Sequence, residues 1–95
     1  MSTDDLITWL RAQLDEDERR ARVDDRHWSE VPDILFSRSH MLDRIAGDRL
    51  ILNFLTNASQ PAWATYAVAE EARHVIRLFA IRYAGRDGYQ EGWRP

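Results

Sequence analysis

Glu71-Ala-Arg-His74 is an E-x-x-H, the spacing by which one helical turn offers a carboxylate and an imidazole to the same metal ion. His40-Met-Leu-Asp43 places a second imidazole and carboxylate three apart, so His40, Asp43, Glu71 and His74 form a candidate two-helix metal site. A di-metal carboxylate centre takes ligands from four helices, and this chain carries one copy of the E-x-x-H. A small metal-binding or hydrolytic protein is therefore the alternative reading, and the primary one holds no metal and no cofactor. Nucleophilic chemistry has less to stand on. Cysteine is absent, no G-x-S-x-G elbow frames a serine, and nothing in the sequence marks a partner for His27. Gly85, Gly88 and Gly92 follow a helix, whereas a phosphate-cradling loop must lead into one. The chain reads as a protein other than an enzyme.

Binding is the better-supported chemistry. Between residues 60 and 84 a helical pattern carries two apolar faces. Val68, Ala72, Val75, Ile76, Phe79 and Tyr83 share one of them at 3.6 residues per turn. Trp63, Ala67, Leu78 and Ile81 lie on nearly the opposite side among Glu70, His74 and Arg77, flanked by Tyr66 and Arg73. Aromatic and arginine side chains are over-represented among binding hot spots. Trp63, Tyr66, Glu70, Arg73, His74, Arg77 and Ile81 are thus the expected partner-binding residues, with another protein or a second copy of the chain as partner. The competing account is that the first helix or the C-terminal tail already covers this face.

That tail, residues 85–95, has three glycines and a final proline, which rule out a continuing helix, yet it carries Tyr89 and Trp93 just after Tyr83. Disordered segments are poor in aromatics. The rings are expected to pack back on the helices. A docking strand for a partner is the other reading of the same residues.

The elements that position these groups are three helices, at about 3–22, 38–57 and 60–84. Ser2 or Thr3 caps the first, and Asp4 and Asp5 sit at the positive end of its dipole. Leu6, Trp9, Leu10 and Leu14 then recur as one apolar stripe. From Asp15 onward the helix is almost wholly charged, with Asp15–Arg19, Glu16–Arg20 and Glu18–Arg22 spaced as acid-to-base pairs. That run reads as a solvated face. Met41, Leu42, Ile45, Leu52 and Leu55 line the second helix, Leu50, Ile51 and Phe54 widen its apolar surface, and Gly47 interrupts it. Asn57 suits a helix end, Ser59 or Gln60 a cap, and Pro61 a first turn. The fold expectation is all-α: a single domain over 1–95, a three-helix bundle with a non-helical aromatic C-terminal tail packed on it. Leu10, Leu14, Ile45, Leu52, Val68, Val75 and Phe79 are its expected core.

Bulk properties narrow the function classes. A chain of 95 residues buries a modest core, and 44% hydrophobic content with four Trp is a globular composition. The net charge of −3 argues against broad nucleic-acid binding. No apolar run is long enough for a bilayer, and the N-terminus lacks the basic region of a secretory signal, so a cytoplasmic location without membrane association is expected. All thirteen basic residues are Arg, as a GC-rich genome produces.

Asp5-Leu-Ile-Thr-Trp-Leu-Arg-Ala-Gln-Leu-Asp-Glu-Asp-Glu18 resembles the opening of a family of small actinobacterial and actinophage proteins, domain of unknown function 6221. Its members also end in a Y-A-x-x-x-x-Y-x-x-x-W-x-P pattern, matched by Tyr83, Ala84, Tyr89, Trp93 and Pro95. The resemblance covers both ends, with looser similarity from Leu42 to Leu52. Longer members carry an insert after the first helix, of which Arg26-His-Trp28 and Ser39-His40 read as shortened remnants. The resemblance implies an actinobacterial or phage origin and a helical fold, and it implies no catalytic residues. Together these features point to a small intracellular interaction or regulatory module.

Overall fold

The computed structural model describes residues 2–23, 32–60 and 65–95. Helix α1 spans Thr3–Val23, α2 spans Pro32–Ala58 and α3 spans Tyr66–Ala80; 3₁₀ turns follow at Ile81–Tyr83 and Glu91–Trp93. No strand occurs among the described residues. The molecule is an all-α three-helix bundle.

Ser2 opens α1 by accepting the Asp5 N–H at 3.2 Å, which satisfies one of the first-turn donors. Leu6, Leu10, Leu14 and Ala21 are buried along the inner stripe, with Ile7 beside them. The charged second half of α1 is only partly a solvated face. Arg20 and Arg22 do bond Glu16 and Glu18 one turn back. Asp15, however, leaves Arg19 to Glu16 and reaches α2 instead. Arg49 Nη1 donates to Asp15 Oδ1 at 2.9 Å, and its Nη2 to Glu18 Oε2 at 2.6 Å. Asp17 takes a two-pronged bond from Arg86 at 2.8 and 3.0 Å. A guanidinium fork satisfies two carboxylate oxygens at once, and local spacing cannot compete with that geometry.

Helix α2 begins at Pro32, earlier than the expected start near 38, and proline's fixed φ and missing N–H suit the first helical position. It packs against both α1 and α3, which also touch each other directly. Ile45, Asp48, Leu52, Leu55 and Ser59 face inward, while Leu50 and Phe54 point outward and are 71% and 72% exposed. Nothing lies within 4 Å of where a Gly47 side chain would begin, so this glycine serves no close helix crossing.

The α2–α3 junction differs from the expected one. Ser59 belongs to the end of α2: its N–H bonds Leu55 O at 3.0 Å and its hydroxyl bonds Thr56 O at 2.7 Å. The cap of α3 is Thr65, whose hydroxyl accepts the Val68 N–H at 3.4 Å. The α-helix ends at Ala80 and tightens to a 3₁₀ turn through Tyr83.

Burial on α3 corrects two expected core positions. Ala69, Ala72, Ile76, Phe79 and Ala80 form a narrow buried stripe, but Val68 and Val75 are 48% and 42% exposed. The Cα envelope measures 50 × 25 × 16 Å, flatter than three helices in a tight triangle. A helix at the side of such a layer is covered over one arc, and both flanks of that arc stay open.

The tail closes the other end of the core. Trp93 is 3% exposed and joins the cluster containing Leu6, Leu10, Phe79 and Tyr83, with Trp9 and Tyr89 packed against it. Its last turn is not fully irregular, because Trp93 and Arg94 close a 3₁₀ turn through bonds to Gln90 O and Glu91 O. Trp9, Tyr89 and Trp93 form a triad with centroids 5.5 to 5.7 Å apart. The Trp9–Tyr89 and Tyr89–Trp93 pairs meet edge to face, as ring quadrupoles prefer.

Candidate functional site

The expected binding face sits on the outer side of α3. Tyr66 is 80% exposed and Ile81 44%, with Glu70 and His74 exposed between them. Arg77 is half-buried. Neither α1 nor the tail shields these side chains. Trp63 lies outside the described residues. Arg73 differs from the rest of the set, because it is tied into the fold. It pairs with Glu70, and its Nη2 donates to Ser59 O at 3.3 Å, bracing the middle of α3 against the end of α2. A residue with that structural task is a poor candidate for a freely offered contact.

The structure does not assemble the alternative metal set. Among the described residues no group of three or more His, Asp or Glu side chains gathers to hold an ion. The register explains why. Arg82 meets Asp48 and Arg73 meets Ser59, so α2 and α3 run antiparallel. His74 then lies opposite the end of α2, while His40 is near its start, roughly 25 Å away at 1.5 Å per residue. Two i,i+3 pairs at opposite ends of an antiparallel hairpin cannot share a metal.

A second region was not visible in the sequence. A cavity of about 620 Å³ opens between the second half of α1, the first half of α2 and the 3₁₀ turn after α3. Ala21, Ile45 and Tyr83 form its apolar floor. Among the described residues, five arginines line it, at positions 19, 20, 44, 82 and 86, against two aspartates, Asp17 and Asp48. Arg86 is occupied by Asp17 and lies over the Tyr83 ring at 4.8 Å. The bonded Asp17 carboxylate holds the Arg86 guanidinium even more firmly protonated than usual. Burial pushes the Tyr83 phenol above its ordinary value, and the negative charges of Asp48 and Asp17 add to the effect. The cavity wall thus carries charge over an apolar base, with Arg86 fixed in place by Asp17.

A three-helix bundle with its aromatic tail folded against α1 defines a small all-helical protein with an open face on α3 and an arginine-lined cavity. Residues 3–95 match the family of unknown function DUF6221, and the chain belongs to that family. No curated protein and no solved structure matches it. No helix among the described residues is long and apolar enough to cross a membrane.

Proposed function

We propose that this chain is a non-enzymatic protein-interaction or regulatory module of an actinobacterium or its phage, acting in the cytoplasm through the outer face of α3. The observation that carries this reading is the pairing of Tyr66, 80% exposed, with Ile81, 44% exposed, along one face that also presents Arg77 and His74. Aromatic and Arg side chains sharing one exposed face are the composition of a binding surface. Tyr and Arg supply contact area and forked donors at low entropic cost. The partner is a protein, either a second copy or a different chain.

The test compares the wild-type protein with a Tyr66→Ser/Arg77→Glu variant by light scattering and by pull-down from the native cell. Both substitutions lie on exposed or half-exposed positions, so helicity and melting temperature should hold. Loss of self-association, or of the captured partner, supports the reading. A variant that associates as the wild type does removes this face. Arg73 is left intact, since its bond to Ser59 would confuse loss of binding with loss of structure.

A further inference from the structure

Among the described residues, the arginine-lined cavity has a donor inventory that its acids do not exhaust. Arg19 and Arg20 share a single carboxylate, Glu16, at 2.7 and 3.0 Å. Arg82 reaches Asp48 at 3.4 Å, a long bond that leaves most of its fork uncommitted. Arg44 has no hydrogen-bond or ion-pair partner among the described residues. In a chain of net charge −3, this is a local concentration of positive charge. Arg44 and Arg82, the two with donors to spare, border the same cavity, and a phosphate's oxygens can engage more than one fork at once.

Two further features narrow the ligand. Met41, 38% exposed, joins Ile45 and Tyr83 in the lining, an apolar stretch that suits the body of an organic molecule rather than a bare ion. Asp48 is 7% exposed, and among the described residues the bond from Arg82 is the one side-chain hydrogen bond it accepts. A buried carboxylate with spare acceptor capacity favours a hydroxyl or amine donor beside it. The volume falls in the range of small-molecule sites.

We infer that the cavity binds a phosphomonoester with a hydroxylated, ring-bearing body, of which a nucleoside monophosphate is the representative class. Arg44 and Arg82 hold the phosphate, Asp48 accepts from a hydroxyl, and the body rests on Ile45 and Tyr83. This site is separate from the outer face of α3 and stands or falls independently of it.

The test titrates AMP, phenyl phosphate and inorganic phosphate into the full chain and follows backbone amide shifts by NMR. AMP is expected to give saturable shifts at Ile45 and Tyr83, with phenyl phosphate weaker and inorganic phosphate weakest. Arg44→Gln should weaken AMP by about tenfold, the loss of one charge-assisted hydrogen bond. Arg44 is exposed and has no partner among the described residues, so this variant should fold as the wild type does. Arg77→Gln, on the outer face of α3, should leave AMP affinity unchanged. The proposal is overturned if AMP gives no saturable shifts at millimolar concentration, or if Arg44→Gln binds it equally well. Equal affinity for AMP and inorganic phosphate would also overturn it, since floor and Asp48 would then play no part.

Discussion

The indole of Trp9 lies against the backbone of Gly88: a side chain begun at Gly88 would stand 2.6 Å from Trp9 Nε1. The same indole N–H donates to Asp87 O at 3.3 Å, so the first helix grips the tail at its turn. Gly88 also has φ +91°, a conformation that L side chains rarely adopt. Both reasons demand glycine. Gly88→Ala should therefore destabilise by about 2–4 kcal/mol, combining left-handed strain with overpacking. Gly85→Ala is the control, because open space surrounds that position. Urea unfolding of the two variants checks this, and equal midpoints would show that Trp9 does not seat on the turn.

Trp93 should be worth more to the fold than any other tail residue. It is 3% exposed and contacts Trp9 and Tyr89 through its ring. Trp93→Ala should cost about 3–5 kcal/mol, a drop of more than about 10 °C in Tm for a domain of this size. Tyr89→Phe should be close to neutral, since the buried Tyr89 hydroxyl has no partner to lose among the described residues. Thermal melts followed by circular dichroism separate the two. If deleting residues from Gly85 onward leaves Tm unchanged, the tail is a docking strand and its packing contributes nothing.

The legible parts of this fold are those with a single polarity axis. On α1, Leu6, Leu10 and Leu14 recur every four residues, so periodicity alone places them inside. Helix α2 is apolar on several sides. Leu50 and Phe54 look as good as Leu52 and Leu55, and only the positions of α1 and α3 decide which are buried. The acidic half of α1 resembles a plain solvated run because its partners lie far along the chain. Arg49 is 31 residues from Glu18, and Arg86 is 69 from Asp17. The cavity was illegible for the same reason: its arginines come from α1, α2 and the turn after α3, and no local spacing links them.

The correction at Val75 can be tested against its neighbour Phe79. Phe79 is 8% exposed, and Arg82 lies over its ring at 5.1 Å. Phe79→Ala should cost about 3–5 kcal/mol, the transfer of the ring plus the cavity left behind. Val75→Ala, at 42% exposure, should stay within about 1 kcal/mol. Denaturant midpoints with unchanged slopes give both numbers directly. Comparable losses at the two sites would mean that α3 is covered over a wider arc than its exposed valines show.

The arginine pairs on α1 carry a pH signature whose sign is set by Glu16. The hydrogen bond from Arg19 lowers the Glu16 pKa from 4.5 to about 2, with Arg20 adding to the effect. A carboxylate whose folded pKa is depressed favours the folded state above its unfolded pKa. That contribution is lost as pH falls from about 4.5 toward 2, where the folded state takes up the proton. The group is on the surface, so the effect is modest and salt weakens it. Carbon-13 NMR of the Glu16 carboxyl should give a midpoint well below 4.5 at low ionic strength, and Arg19→Ala should move it upward. High salt should move it the same way without the mutation. A wild-type midpoint near 4.5 would show that Arg19 is not held on Glu16 in solution, leaving Arg19 free to face the cavity it borders.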